Sequence, residues 1–281
     1  MTAGMTYALA AMLCFGLADL IYKRASAIGV PAHHLMMLQA WCFGPSILAY
    51  AWLTHTLQLE WSAVWGALAG LFSYVGFLNF ARSLRTGSIS VVVPIFRLNF
   101  AFTALLAIAL LGESVSITKC GGLLLALLAV WLLLGGPVSD RPTDRTALVQ
   151  VAIAVVTVGA SNLFYKIGLR AGAPPETLLV AQAVAFNACA LSYTLFADGA
   201  LRPTKYAWQY PALAAVVLLF AFMLLLHSLV IGEASVFVPV AQMGFVVTAA
   251  VGILALGEPL TARKSAGLAL AVAALALFAA S

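Results

Sequence analysis

Apolar runs of about twenty residues follow one another along the whole chain, separated by short clusters of polar, glycine and proline residues. A helix needs about 20 mostly apolar residues to cross a bilayer, and cutting the chain at its punctuation leaves ten such segments. They read as spans at about 4–24, 32–53, 62–82, 88–111, 118–135, 147–169, 176–196, 208–230, 235–256 and 263–280. The longest connection runs from Gly135 to Thr146 through Pro137, Asp140, Arg141, Pro142, Asp144 and Arg145. It falls almost at the middle of the chain.

The pattern on one side of that linker recurs on the other. Residues 16–40 align with 159–183 without a gap: Gly16, Leu20, Tyr22, Lys23, Gly29, Pro31, Leu35, Gln39 and Ala40 return as Gly159, Leu163, Tyr165, Lys166, Gly172, Pro174, Leu178, Gln182 and Ala183. Residues 83–126 align likewise with 228–271. Shared composition produces scattered Leu and Ala matches, not Tyr-Lys, Gly-x-Pro, Val-Pro and Gly-Glu in the same order twice. The chain therefore divides into a five-helix unit at 1–135, a linker at 136–146 and a second five-helix unit at 147–281. Five is odd, so the second unit enters the membrane from the opposite side, and the halves form an inverted pair. Two such halves can exchange conformations and expose one midplane site to either side in turn, which is a physical argument for transport.

Composition changes the picture in naming the solvent. Of 281 residues, 64% are hydrophobic and 8% are charged, against about a quarter charged in soluble domains. The expected class is an all-α, polytopic membrane protein surrounded by lipid. Met1 to Ala18 holds no Lys or Arg, so the first apolar stretch reads as a membrane helix rather than a cleaved signal. The net charge is +5, but the bases lie singly or in pairs between apolar segments, which argues against a nucleic-acid partner. Cys14, Cys42, Cys120 and Cys189 are far apart and read as small packing residues.

The residues also resemble a known family. The first span, "FGLADLIYK", has the twin "VGASNLFYK"; "GSISVVVPIFRLNFAFTALLAIALLGE" has the twin "GEASVFVPVAQMGFVVTAAVGILALGE"; the fifth and tenth spans are rich in small residues. This pattern is similar to the drug/metabolite transporter superfamily, in particular its ten-helix EamA branch, and covers nearly the whole chain. The resemblance implies a central cavity lined by spans 1, 3, 4, 6, 8 and 9, with spans 5 and 10 as peripheral scaffolds. It implies a secondary transporter, in the sense of an exporter, that moves small metabolites by alternating access in the bacterial cytoplasmic (inner) membrane. A lipid or carrier-lipid flippase of the same fold is the alternative. Gly66 and Gly70 on span 3, and Gly121 and Gly122 on span 5, suit close helix approach.

Ionisable groups at membrane depth are costly and by default functional. Arg97 lies near the middle of span 4 and Asp19 about five residues from the end of span 1, at depths roughly 6 Å apart. In one reading, Arg97 grips a substrate carboxylate or phosphoryl group with its planar fork, while Asp19 takes a substrate amine or a coupling proton. In the other, the two neutralise each other and pin two helices. Their repeat equivalents, Gln242 and Asn162, are polar but uncharged, so charge is concentrated in the first half. Arg97 and Asp19 together favour a zwitterion such as an amino acid. Tyr22 and Tyr165, each followed by a lysine, read either as interfacial aromatics with snorkelling lysines or as a polar gate at the cavity rim. Asn79, Asn99, Gln39, Gln182 and Asn187 need partners at membrane depth, as ligands or as interhelical glue. Trp41, Tyr74, Phe77, Phe96, Phe100, Phe164 and Phe245 are candidates for an aromatic wall, or for plain packing. Glu113 and Glu258 are expected to cap or pair locally, near Lys119 and Lys264.

Other functions are excluded by what the chain lacks. No GxxxxGK[ST] phosphate loop occurs, so any coupling comes from a gradient or from exchange. The acids are scattered, which argues against an enzyme. His33-His34 has no further ligands near it in sequence, and no metal or organic cofactor is implied. The expected partners are membrane lipid and a small-molecule substrate, with the protein a monomer or homodimer. Ten bases fall on the side opposite the termini, against Lys119, Lys166 and Arg170 on theirs, so the positive-inside rule puts the termini outside. The resemblance puts them in the cytoplasm.

Overall fold

The computed structural model describes residues 2–27, 32–58, 60–134, 144–198, 208–255 and 259–281. The described residues contain no strand. The helices are α1 (Ala3–Ala27), α2 (Ala32–Leu53), α3 (Val64–Thr86), α4 (Ile89–Arg97), α5 (Asn99–Leu111), α6 (Ile117–Leu134), α7 (Arg145–Arg170), α8 (Pro175–Asp198), α9 (Gln209–Ile231), α10 (Ala234–Gln242), α11 (Gly244–Leu254) and α12 (Ala262–Ala279). Nine of the described segments are long and apolar enough to cross a membrane. The remaining span is α2, whose 22 residues carry His33, His34, Gln39 and Pro45. Most of the linker and all of Glu258 lie outside the described residues.

The helix bounds carry the repeat into three dimensions. α9, α10 and α12 begin and end at the sequence equivalents of α3, α4 and α6. Spans 4 and 9, expected as single helices, are each broken at mid-membrane, between α4 and α5 and between α10 and α11. Leu98 N–H turns back to the Ile95 carbonyl, and Met243 N–H to that of Val240, each one residue short of the α-helical partner. In the first repeat the Asn99 side chain donates to the Phe96 carbonyl at 2.7 Å, taking an acceptor the helix ladder would use. In the second, Gly244 occupies the equivalent position.

Each break is crossed by the first helix of the other repeat, at a glycine. A Cβ on Gly244 would lie 2.7 Å from the backbone nitrogen of Gly16, and one on Gly159 would lie 3.0 Å from the carbonyl oxygen of Asn99. Threonines seal both crossings: Thr248 donates to the Gly16 carbonyl and Thr103 to that of Gly159. The glycines singled out from sequence make similar approaches. A Cβ on Gly66 or Gly70 would sit 2.3 Å from the carbonyl oxygen of Leu178 or Gln182. Without a hydrophobic drive between helices in lipid, such close backbone packing supplies the association energy. α6 and α12 stack on each other, with Gly121 and Gly122 against Leu277 and Phe278, and contribute nothing to the cavity.

Candidate functional site

Between the two repeats lies a cavity of about 320 Å³. The first repeat lines it with stripes that share one helix face: Phe15, Ala18, Asp19 and Tyr22 on α1, and Ser73, Phe77, Phe80, Ala81 and Leu84 on α3. Val93, Phe96 and Arg97 on α4 join them. The expected lining set is too small: α2 and α8 also contribute, through Gln39, Phe43, Gln182, Phe186 and Asn187. These are spans 2 and 7, drawn in because α2 packs on α8 and α9 and α8 packs on α3, which sets their inner faces against the cavity. The second repeat adds only midplane residues, among them Ser161, Asn162, Phe222 and Gln242. The first-repeat helices line the cavity from the midplane to their ends opposite the termini. The cavity therefore faces that side.

Arg97 is the last residue of half-helix α4, where a cation is favoured by the helix dipole. It donates from Nη2 to Asp19 Oδ2 at 2.5 Å. Because α1 runs on to Ala27, Asp19 lies as far from the end of its helix as Arg97 does from the start of α4, about 12 Å at 1.5 Å per residue. The depth difference expected from the shorter span disappears. The Asp19 side chain is still 29% exposed and that of Arg97 14%, so solvent reaches the pair through the cavity. Arg97 Nε has no partner, leaving part of the guanidinium fork free.

Tyr22 donates its hydroxyl hydrogen bond to Gln39 Oε1, joining α1 to α2 beside the pair. Asn162 donates to Thr103 at 3.4 Å, and Asn187 to the Ala40 carbonyl at 3.0 Å. Gln182 is buried at the cavity wall with its Oε1 unpartnered. Of the residues selected from sequence, Arg97, Asp19, Gln242, Asn162, Tyr22 and Phe96 come together here, with Phe77, Gln39, Gln182 and Asn187. The structure places the others elsewhere. Tyr165 is fully buried behind the wall, edge-on to Phe222. Tyr74 packs edge-on to Phe186, Asn79 donates to the Val75 carbonyl of its own helix, Asn99 serves the helix break, and Trp41 lies beside Trp208. Phe100 and Phe245 are core residues, and Phe164 packs against Trp65 and Phe72. Phe15, Phe80, Phe222, Ser73 and Ser161 were not selected. The spacing of Phe15 with Asp19 and Tyr22, and of Phe80 with Phe77, was the available signal.

The termini side is closed by contacts between the repeats. Glu113 does not pair locally. Its carboxylate accepts the backbone N–H groups of Ala234 and Ser235, each at 2.8 Å, at the start of α10. Lys119 bonds Ser114 and the Glu233 carboxylate instead. Lys166 does not snorkel: it is buried and donates to the carbonyls of Leu229 and Gly232, both at 2.6 Å. The side chain of Lys23, its repeat equivalent, lies outside the described residues. No group of three His, Cys, Asp or Glu able to hold a metal occurs among the described residues.

The broken helices, the inverted repeats and the midplane cavity define a membrane transporter. The model of the EamA-like transporter family matches residues 2–135 and again residues 145–280, and the chain belongs to that family, within the drug/metabolite transporter superfamily. No curated protein matches the chain in sequence. A solved crystal structure is similar with a TM-score of 0.80 at 18% identity, covering 98% of this chain and 95% of the other; at that identity the likeness speaks for the fold alone.

Proposed function

We propose that the protein carries a small zwitterionic or otherwise charged metabolite, amino-acid-like in having both an anionic and a cationic group, by alternating access. The observation that carries this reading is the Asp19–Arg97 pair, set at the helix break and open to solvent through the cavity. A zwitterion entering the pair gives a carboxylate to the Arg97 fork and an ammonium to Asp19, so neither charge is left bare in a low-dielectric site. The rest of the wall is largely aromatic and aliphatic, which suits a substrate with an apolar body. The setting is a bacterial cytoplasmic membrane, and export is the direction proposed.

The test is uptake into proteoliposomes with amino acids, amines and organic anions, with and without a pH gradient. Wild type moving a zwitterion, with loss in Arg97→Gln and loss of pH dependence in Asp19→Asn, supports the reading. Normal transport by both variants makes the pair structural. Movement of no soluble solute, with exchange of lipid between leaflets, would replace the reading with a flippase.

A further inference from the structure

Tyr22 and Gln39 have repeat equivalents in Tyr165 and Gln182, at identical places on α7 and α8. The two pairs are in different states. Tyr22 bonds Gln39 on the side where the cavity is open. On the closed side, the Tyr165 hydroxyl is fully buried and faces Ser73 without reaching hydrogen-bond geometry, while Gln182 Oε1 is buried and unpartnered. A buried hydroxyl and a buried carbonyl left unmade are each costly. Two groups of matching chemistry, donor and acceptor, are thus held apart in one repeat and joined in the other.

We infer that these pairs are the two positions of one switch. Opening a side draws its tyrosine out of the core onto the glutamine of the next helix, and closing that side breaks the bond and buries the tyrosine. In the state facing the termini side, Tyr165 bonds Gln182 and Tyr22 is buried. The unmade bond on the closed side is the stored bias that makes the reverse transition accessible, as a bistable element requires. The inference rests on the alternating-access reading in assuming two opposite-facing states, and it adds which hydrogen bonds are exchanged.

The experiment is hydrogen–deuterium exchange by mass spectrometry on the full chain in lipid nanodiscs. It compares the α9–α10 junction on the termini side with the α3–α4 junction on the other. Tyr22→Phe and Gln39→Leu remove the bond that holds the present state. Each is expected to speed exchange at the α9–α10 junction and slow it at the α3–α4 junction, shifting the ratio of states about fivefold. Tyr165→Phe and Gln182→Leu are expected to shift it the opposite way. Shifts of the same sign in both pairs, or no shift while wild type transports normally, overturn the switch and leave the transport reading standing. Absence of transport by wild type in proteoliposomes counts against the transport reading, and the signs of the four exchange shifts still decide the switch.

Discussion

Glu113, in the turn after the first repeat's broken span, caps the second repeat's half-helix by accepting the N–H of Ala234 at 2.8 Å, with the neighbouring Ser235 at the same distance. The helix that ends in Gln242 is therefore anchored by a residue of the other repeat. Four N–H groups at a helix start have no partner within the helix, and here no side chain of the second repeat caps them.

Removing this cap is expected to be expensive. Hydrogen bonds to charged groups contribute about 1.5–3 kcal/mol each, so Glu113→Ala is expected to lose about 3 kcal/mol or more, and Glu113→Gln less, because its amide oxygen still accepts one bond. Thermal unfolding in detergent reads the order. A Tm for Glu113→Ala equal to that of wild type would show that the cap contributes nothing.

Where Gly244 meets Gly16, backbone lies against backbone and cannot yield. Gly244→Ala is expected to cost near the top of the roughly 1–3 kcal/mol of an overpacked site. Gly112 makes the contrast: its φ of 67° is left-handed but nothing lies within 4 Å of an added Cβ. Gly112→Ala is expected to cost only the strain of that conformation, about 1 kcal/mol. Size-exclusion yield and Tm compare the two, and equal losses would refute close helix crossing as the cause.

A charge swap separates the structural role of Asp19 and Arg97 from a binding role. Each single neutralisation leaves a partly buried charge alone and is expected to cost about 1–3 kcal/mol. The double variant Asp19→Arg with Arg97→Asp restores the pair, and so most of the stability. Transport is expected to stay at least tenfold below wild type, because a substrate placed by the helix break meets the wrong charge at each end. Recovery of transport along with stability would make the pair a strut.

Ala81 lies on the α3 stripe between the ion pair and the open end of the cavity. Ala81→Trp fills that path and leaves both charged residues unsubstituted. Uptake is expected to fall at least tenfold with Tm nearly unchanged; undiminished uptake would place the route elsewhere.

Much of the candidate site was legible in the sequence for a particular reason. Asp19 and Arg97 stand out because lipid makes any charge at that depth conspicuous. Gln242 and Asn162 followed from them by the repeat. The neutral polar and aromatic residues were not separable in the same way. Asn99 and Asn79 look like Gln39 in sequence, yet they spend their amides on helix backbone, whereas Gln39 faces the cavity. Phe80 and Phe100 are both phenylalanines at membrane depth, but only Phe80 lines the cavity.

The sequence by itself determined the spans, the duplication and its inversion. Lipid offers the backbone no hydrogen bonds, so each crossing segment must be apolar and satisfy its own backbone, a local constraint readable one segment at a time. The tertiary structure decided the breaks at Leu98 and Met243, the cross-repeat partners of Glu113, Lys119 and Lys166, and the side on which the cavity is open. Those features rest on which helices meet. In a bilayer that choice comes from close packing and interhelical hydrogen bonds, because burying apolar surface against protein gains little over burying it in lipid.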